Sequence, residues 1–179
     1  MDDNTVKKER RRTEQAESNT KLPPQSVEEV SFCVAAIPVA QPRQKHGARA
    51  TRTGQVQSFN YIEAGHPIHV FKMACQQAAH EAMHDRPPLQ GAVHLGVSFV
   101  LPRRKHPKKD GVNRIPYPKK SDLDNFAKAV MDACSGILYD DDRQITSCYL
   151  TKEEAAVGES PHVLILMQPV QWTPELPEA

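Results

Sequence analysis

Between Leu101 and Asp142 the chain reverses its charge at a single junction, and this limits what the segment can become. Leu101–Lys120 (LPRRKHPKKDGVNRIPYPKK) carries eight Lys or Arg, one Asp and four prolines. So much like charge, broken so often by proline, suits an extended, exposed loop and neither a helix nor an inner strand. From Ser121 to Asp142 there are six Asp, and Lys128 is the only Lys or Arg. Within that stretch Leu123, Phe126, Ala127, Val130, Ala133 and Cys134 recur at helical spacing. The spacing predicts an amphipathic helix that ends before Gly136.

The flanking segments supply the rest of a small domain. Val30–Pro38 (VSFCVAAIP) is short, partly β-branched and closed by proline, which suits a strand. Gln41–Tyr61 contains no acidic residue, while Arg43, Lys45, Arg49 and Arg52 make it a basic loop or loose hairpin. A helix is expected from Pro67 to about Asp85, with Val70, Met73, Ala74, Gln77 and Ala78 tracing its stripe and Arg86-Pro87-Pro88 stopping it. Val93, Leu95, Val97 and Phe99 alternate with His94, Gly96 and Ser98 as a strand does. Strands are also expected at Gln144–Thr151 and His162–Val170. The order β, α, β, α, β, β indicates one small α/β or α+β domain with a mixed sheet and two main helices, spanning residues 30–170.

Outside that core, residues 1–29 hold no aromatic residue and are nearly all polar or charged, so they read as a disordered tail. Residues 171–179 form a short C-terminal tail, where Trp172 is expected to dock on the domain. No apolar run approaches the ~18 residues of a membrane helix, and the N-terminal residues contain no hydrophobic stretch of the kind secretion needs. A cytoplasmic, nucleoid-associated location is expected. The 23 basic and 22 acidic residues nearly cancel, so any affinity for a polyanion must come from how charge is distributed. Cys33, Cys75, Cys134 and Cys148 stand far apart without a C-x-x-C pair and read as reduced core residues.

The charge reversal makes chemical sense if the basic segment grips a polyanion while the carboxylates hold a divalent cation against one of its phosphates. Asp122 and Asp124, two residues apart on one helix, would point about 200° apart and could not share an ion. If Asp122 sits at the non-helical N-cap, however, it is freed from the helical screw. Lys128 lies four residues after Asp124, on the same face. A third contribution would come from Asp140-Asp141-Asp142. Capping and dipole compensation are the bland alternative for Asp122 and Asp124, and a turn is the bland alternative for the triple Asp.

Asp122-Leu123-Asp124-Asn125 with Lys128, then Gly136-Ile137-Leu138-Tyr139, then Asp141-Asp142-Arg143-Gln144-Ile145, resembles the D-L-D-N…K…G-[VI]-[LW]-x-x-D-D-x-Q-[IV] core of the RusA family of Holliday junction resolvases. The resemblance covers roughly Val30 to Met167. It implies a homodimeric, Mg²⁺-dependent endodeoxyribonuclease, with Mn²⁺ able to substitute, that nicks symmetric strands of four-way DNA junctions. Its catalytic and metal-binding carboxylates fall on Asp122, Asp124 and Asp142, with Asp141 as the alternative in the triple run, and its catalytic lysine falls on Lys128. The opening loop departs from the family's usual Lys-x-Arg-Pro-Arg, reading Gln41-Pro42-Arg43-Gln44-Lys45. DNA contacts are expected from Arg43, Lys45, Arg103, Arg104, Lys105, Lys108, Lys109, Lys119 and Lys120.

Two other readings are carried forward. One is a catalytically silent junction-binding protein with the same fold. The other is a zinc peptidase built on His80-Glu81-Ala82-Met83-His84, a literal H-E-x-x-H on a helix. Against the peptidase, the helix stops at once and no later helix offers the third ligand that catalytic zinc requires.

Overall fold

In a computed structural model the structure describes residues 29–104, 112–118 and 121–170. The chain runs β1 (Val30–Val34), β2 (Lys45–Ala50), β3 (Val56–Tyr61), α1 (Ile68–Met83), β4 (Val93–Leu101), β5 (Ile115–Pro116), α2 (Leu123–Cys134), a 3₁₀ turn (Asp142–Gln144), β6 (Ile145–Glu154) and β7 (His162–Pro169). Of the expected tails, 1–29 and 171–179, all but residue 29 lies outside the described residues, as do Lys105, Lys108, Lys109, Lys119 and Lys120.

Five strands form one mixed sheet in the order β1-β7-β4-β6-β5. Only β4 and β6 run parallel, and the other neighbours pair antiparallel. A parallel pair needs a crossover, and here α2 supplies it. Val93, Leu95, Val97 and Phe99 are buried on the face of β4 that meets the helices, as their alternation predicted. Val163, Ile165 and Met167 of β7 extend this apolar floor, while Leu164, on the opposite face of the sheet, is exposed. Phe99 packs against Phe126 of α2, ring centroids 5.4 Å apart. Gly136, at φ +77, follows the last turn of α2 in the left-handed backbone that stops a helix at little steric cost.

The α1 stripe is not the expected one. Ile68, Phe71, Cys75, Ala79 and Met83 are buried, whereas Val70 and Met73 are 72% and 67% exposed. The helix is apolar on two adjoining faces. The face carrying Ile68, Phe71 and Met83 removes more apolar area from water, so packing selects it. The cysteines also divide. All four are free thiols, with Cys75 and Cys134 buried but Cys33 and Cys148 exposed. Burial pushes the Cys75 thiol up to about 12.

Gln41–Tyr61 resolves into a hairpin, with Lys45 opposite Tyr61 and Gly47 opposite Phe59. Every residue of it except Gly47 and Thr51 is exposed from Arg43 to Tyr61. The Phe59 ring lies across Gly47 so closely that a Cβ there would sit 2.8 Å from Cζ, and Tyr61 stacks beside it at 5.9 Å. An isolated two-stranded hairpin is marginal in water, and this ring-over-glycine contact is one of its supports.

Candidate nuclease site

The first pair of carboxylates is held at the start of α2. Asp122 occupies the N-cap with extended backbone (φ −65, ψ 150), and its side chain caps nothing. The bland capping role is therefore not realised. Asp122 is released from the helical screw as the spacing argument required. Asp124 lies in the first turn. Both are exposed, and among the described residues neither accepts a hydrogen bond nor joins an ion pair. Two contacts fix the helix start. Lys152 Nζ donates to the Ser121 carbonyl at 2.7 Å while lying over the Phe126 ring, and the Gln41 N–H donates to the Asn125 carbonyl at 2.9 Å.

Lys128 is 60% exposed, with Nζ 3.7 Å from Asp132 Oδ1. Asp132 also accepts from Lys72 Nζ of α1 at 2.9 Å. These two partners were missed in the sequence. Asp132 could have been found, since it lies four residues beyond Lys128 on the same face. Lys72 could not, because only the packing of α1 on α2 brings it there.

The D-D-x-Q run builds a rigid turn. Asp141 caps the 3₁₀ turn, and Gln144 Oε1 accepts from the backbone N–H groups of Asp140 (2.7 Å) and Asp141 (3.0 Å). Gln144 Nε2 donates to the carbonyls of Leu89 (2.9 Å) and Gly91 (3.0 Å), tying the turn to the segment before β4. Both carboxylate oxygens of Asp141 accept from the Arg143 guanidinium, which holds this carboxyl down at about 2. Asp140 Oδ2 accepts from Gln90 Nε2 at 2.9 Å. Of the three aspartates, exposed Asp142 is the one held by neither Gln90 nor Arg143. Nearby, buried Tyr139 donates to the Met131 carbonyl at 2.7 Å, and burial raises its phenol.

The structure does not bring the two groups of carboxylates together. Asp122 adjoins Ser121, which Lys152 holds near the end of β6, whereas Asp142 stands just before β6 begins. The seven steps from Ile145 to Lys152 span roughly 23 Å of strand. Among the described residues no group of three or more His, Cys, Asp or Glu is placed to hold a metal ion. Asp122, Asp124 and Asp142 offer only hard oxygen donors, the chemistry Mg²⁺ prefers. As this chain places them, however, they do not fit a single ion.

Several basic residues expected on DNA are committed inside the molecule. Arg103 Nη1 donates to the carbonyls of Ala155 (2.8 Å) and Asn113 (3.2 Å). Arg104 forms a fork on buried Glu154, with Nε–Oε2 at 2.9 Å and Nη2–Oε2 at 2.8 Å, and this holds the Glu154 carboxyl low. These contacts tie the start of the basic loop to the end of β6 and to Asn113. Arg43 is exposed, and Lys45 forms an exposed ion pair with Glu63. Tyr117, half-buried, packs against the core. His80 and His84 are both exposed, and α1 ends at His84, which adopts φ +46.

A mixed five-stranded sheet with a carboxylate-bearing crossover helix and an exposed lysine on that helix makes up one small α+β domain. A family model described as "Endodeoxyribonuclease RusA" matches residues 36–167, well over half of the chain. The chain belongs to the RusA endodeoxyribonuclease family. No curated protein matches it. Among the described residues no helix is long and apolar enough to cross a membrane.

Proposed function

We propose that this protein is a structure-specific endodeoxyribonuclease that resolves four-way DNA junctions by paired nicks during recombination and repair, working as a homodimer in the cytoplasm close to the nucleoid. The observation that carries this reading is the family match across residues 36–167, which includes every element of the D-L-D-N…K…D-D-x-Q core. The cation it would require is Mg²⁺, with Mn²⁺ as a substitute, since the donors are carboxylates alone.

The chain's own residues suggest how DNA is received. Exposed Arg43, Lys45, Arg49 and Arg52 put four positive charges, with no acidic residue among them, on and beside the hairpin. Such contacts grip phosphates and read no base edges. Lys128, exposed on the outer face of α2, is placed to meet a phosphate presented at the start of that helix and to offset charge that builds on it. Its ion pair with Asp132 is a resting position that a phosphate would displace, because an exposed pair of this kind is worth little.

The test is a nicking assay that compares a synthetic four-way junction with linear duplex, with and without Mg²⁺. Paired nicks in opposed strands of the junction, dependent on Mg²⁺, are expected. Tight junction binding without any cutting would favour the silent binder, and equal cutting of duplex would refute junction specificity.

A further inference from the structure

The β2–β3 hairpin sorts its side chains by face. Residues opposite one another across an antiparallel pair share a face, and faces alternate along each strand. The register pairs Lys45 with Tyr61, Gly47 with Phe59 and Arg49 with Gln57, so these stand on one side. The other side, with Ala48, Ala50 and Val56 among its residues, holds no Lys, Arg, Phe or Tyr. Both large rings and both strand cations of the hairpin therefore share one face. Phe59 and Tyr61 are 47% and 42% exposed there, although apolar ring surface left in water costs free energy. Their centroids lie 5.9 Å apart with the planes tilted by 44°. Successive bases in a stacked DNA strand follow every 3.4 Å or about that, so the two rings are spaced too widely for a stacked strand. They suit one whose bases have come apart.

We infer that this face of the hairpin is a stacking platform for unpaired bases at the centre of a branched DNA, and that it separates a four-way junction from duplex. The inference rests on the nuclease reading above. Aromatic rings stack on any base, because every base has a π-face, but inside a duplex arm both faces of each base are already covered. Only where strands part is a face free. Lys45 and Arg49 flank the rings and suit the phosphates of the strand laid across them, with Lys45 also paired to Glu63 at the hairpin's root. That root is fixed beside the start of α2. The Gln41 N–H donates to the Asn125 carbonyl, and Ile62, next to Tyr61, packs against the core. The chain from Gln41 to Lys45 spans at most about 14 Å, and the step across to Tyr61 adds about 5 Å. The rings thus stand within roughly 20 Å of the turn that carries Asp124, or about six nucleotides of stacked strand. A base held on the platform and a phosphate at the helix start then belong to one junction.

The test uses the full chain with a labelled four-way junction and a linear duplex of the same arm sequence, in EDTA so that nothing is cut. Phe59→Leu with Tyr61→Leu keeps an apolar side chain over Gly47 but removes both rings. Junction affinity should fall about 5- to 150-fold for each base that loses its ring, while duplex affinity stays within about twofold. The slope of log K against log salt should not change, because stacking releases no counterions. Tyr61→Phe, which keeps the ring, should bind like the wild type. A junction carrying 5-iodouracil at the branch point should photo-cross-link to Phe59 or Tyr61, mapped by mass spectrometry. Unchanged junction affinity in the leucine variant, an equal loss on junction and duplex, or cross-links only at other residues would overturn the inference. Its failure is distinct from that of the nuclease reading. If the wild type cuts junctions but the leucine variant binds them as tightly, the platform falls and the nuclease stands. If the rings bind and cross-link as expected while the wild type cuts no DNA with Mg²⁺, the nuclease reading fails and the platform stands.

Discussion

Replacing Gln144 with Ala removes four hydrogen bonds through one side chain, and its expected magnitude can be worked from the partners. Each such bond contributes about 0.5–1.5 kcal/mol net. The groups on Gly91 and Asp140 belong to exposed residues, so water replaces the lost partner there. Those on Leu89 and Asp141 belong to half-buried residues and lose most of their contribution. The expected cost is therefore about 2 kcal/mol, near the middle of the range for two bonds. For a chain of this size that lowers Tm by about 4–8 °C. Gln144→Glu should cost at least as much, since it sets a carboxylate against two carbonyl oxygens in place of an amide N–H₂. The assay is urea unfolding followed by circular dichroism, with a lower midpoint and an unchanged slope expected. Gln90→Ala serves as the control, because its contacts are exposed and should change stability by no more than about 0.5 kcal/mol. If Gln144→Ala falls no further than Gln90→Ala, the turn is not held as described.

Lys128→Ala should reduce junction cutting about 10²–10³-fold in single-turnover assays while leaving binding nearly unchanged; a fully active variant would remove this residue from the mechanism. Asp141 carries a folded-state carboxyl lowered from 3.8 to about 2, so its ion pair with Arg143 is intact above about pH 4 and is lost as pH falls through about 2. Asp141→Asn should therefore flatten acid unfolding within that window and leave the neutral range alone, and an unchanged acid profile would count against the pair. Native-state alkylation read by mass spectrometry should label exposed Cys33 and Cys148 and spare Cys75 and Cys134 until the chain unfolds; early labelling of Cys75 would contradict its buried position and raised thiol. Replacing Arg43 and Arg49 together with Ala should make the slope of log K against log salt shallower by up to about two units on duplex arms, and a slope that stays the same would mean that the hairpin does not touch phosphate.

What the sequence determined by itself is local. The period of Phe126, Val130, Ala133 and Cys134 and the left-handed stop at Gly136 are properties of neighbouring residues, so α2 was legible to within a turn. The alternation of Val93 to Phe99 was equally legible. The release of Asp122 from the helical screw could be argued from spacing, because an N-cap is defined by its own backbone. The special turn at Asp141-Asp142-Arg143-Gln144 appeared as a motif, although its purpose did not. Gln144 bonds to carbonyls more than fifty residues away, and no local pattern encodes those.

Only the tertiary structure decided the questions that long-range packing answers. Two faces of α1 are apolar, and the choice of Phe71 over Val70 for burial depends on the sheet beneath it. Arg103 and Arg104 read as DNA contacts in a basic run, yet Glu154 and the Ala155 carbonyl, about fifty residues on, claim their guanidinium groups. The distance between Asp142 and the Asp122–Asp124 pair was also beyond reach. Sequence spacing measures path along the chain, and a helix that crosses between parallel strands carries that path from one end of the sheet to the other.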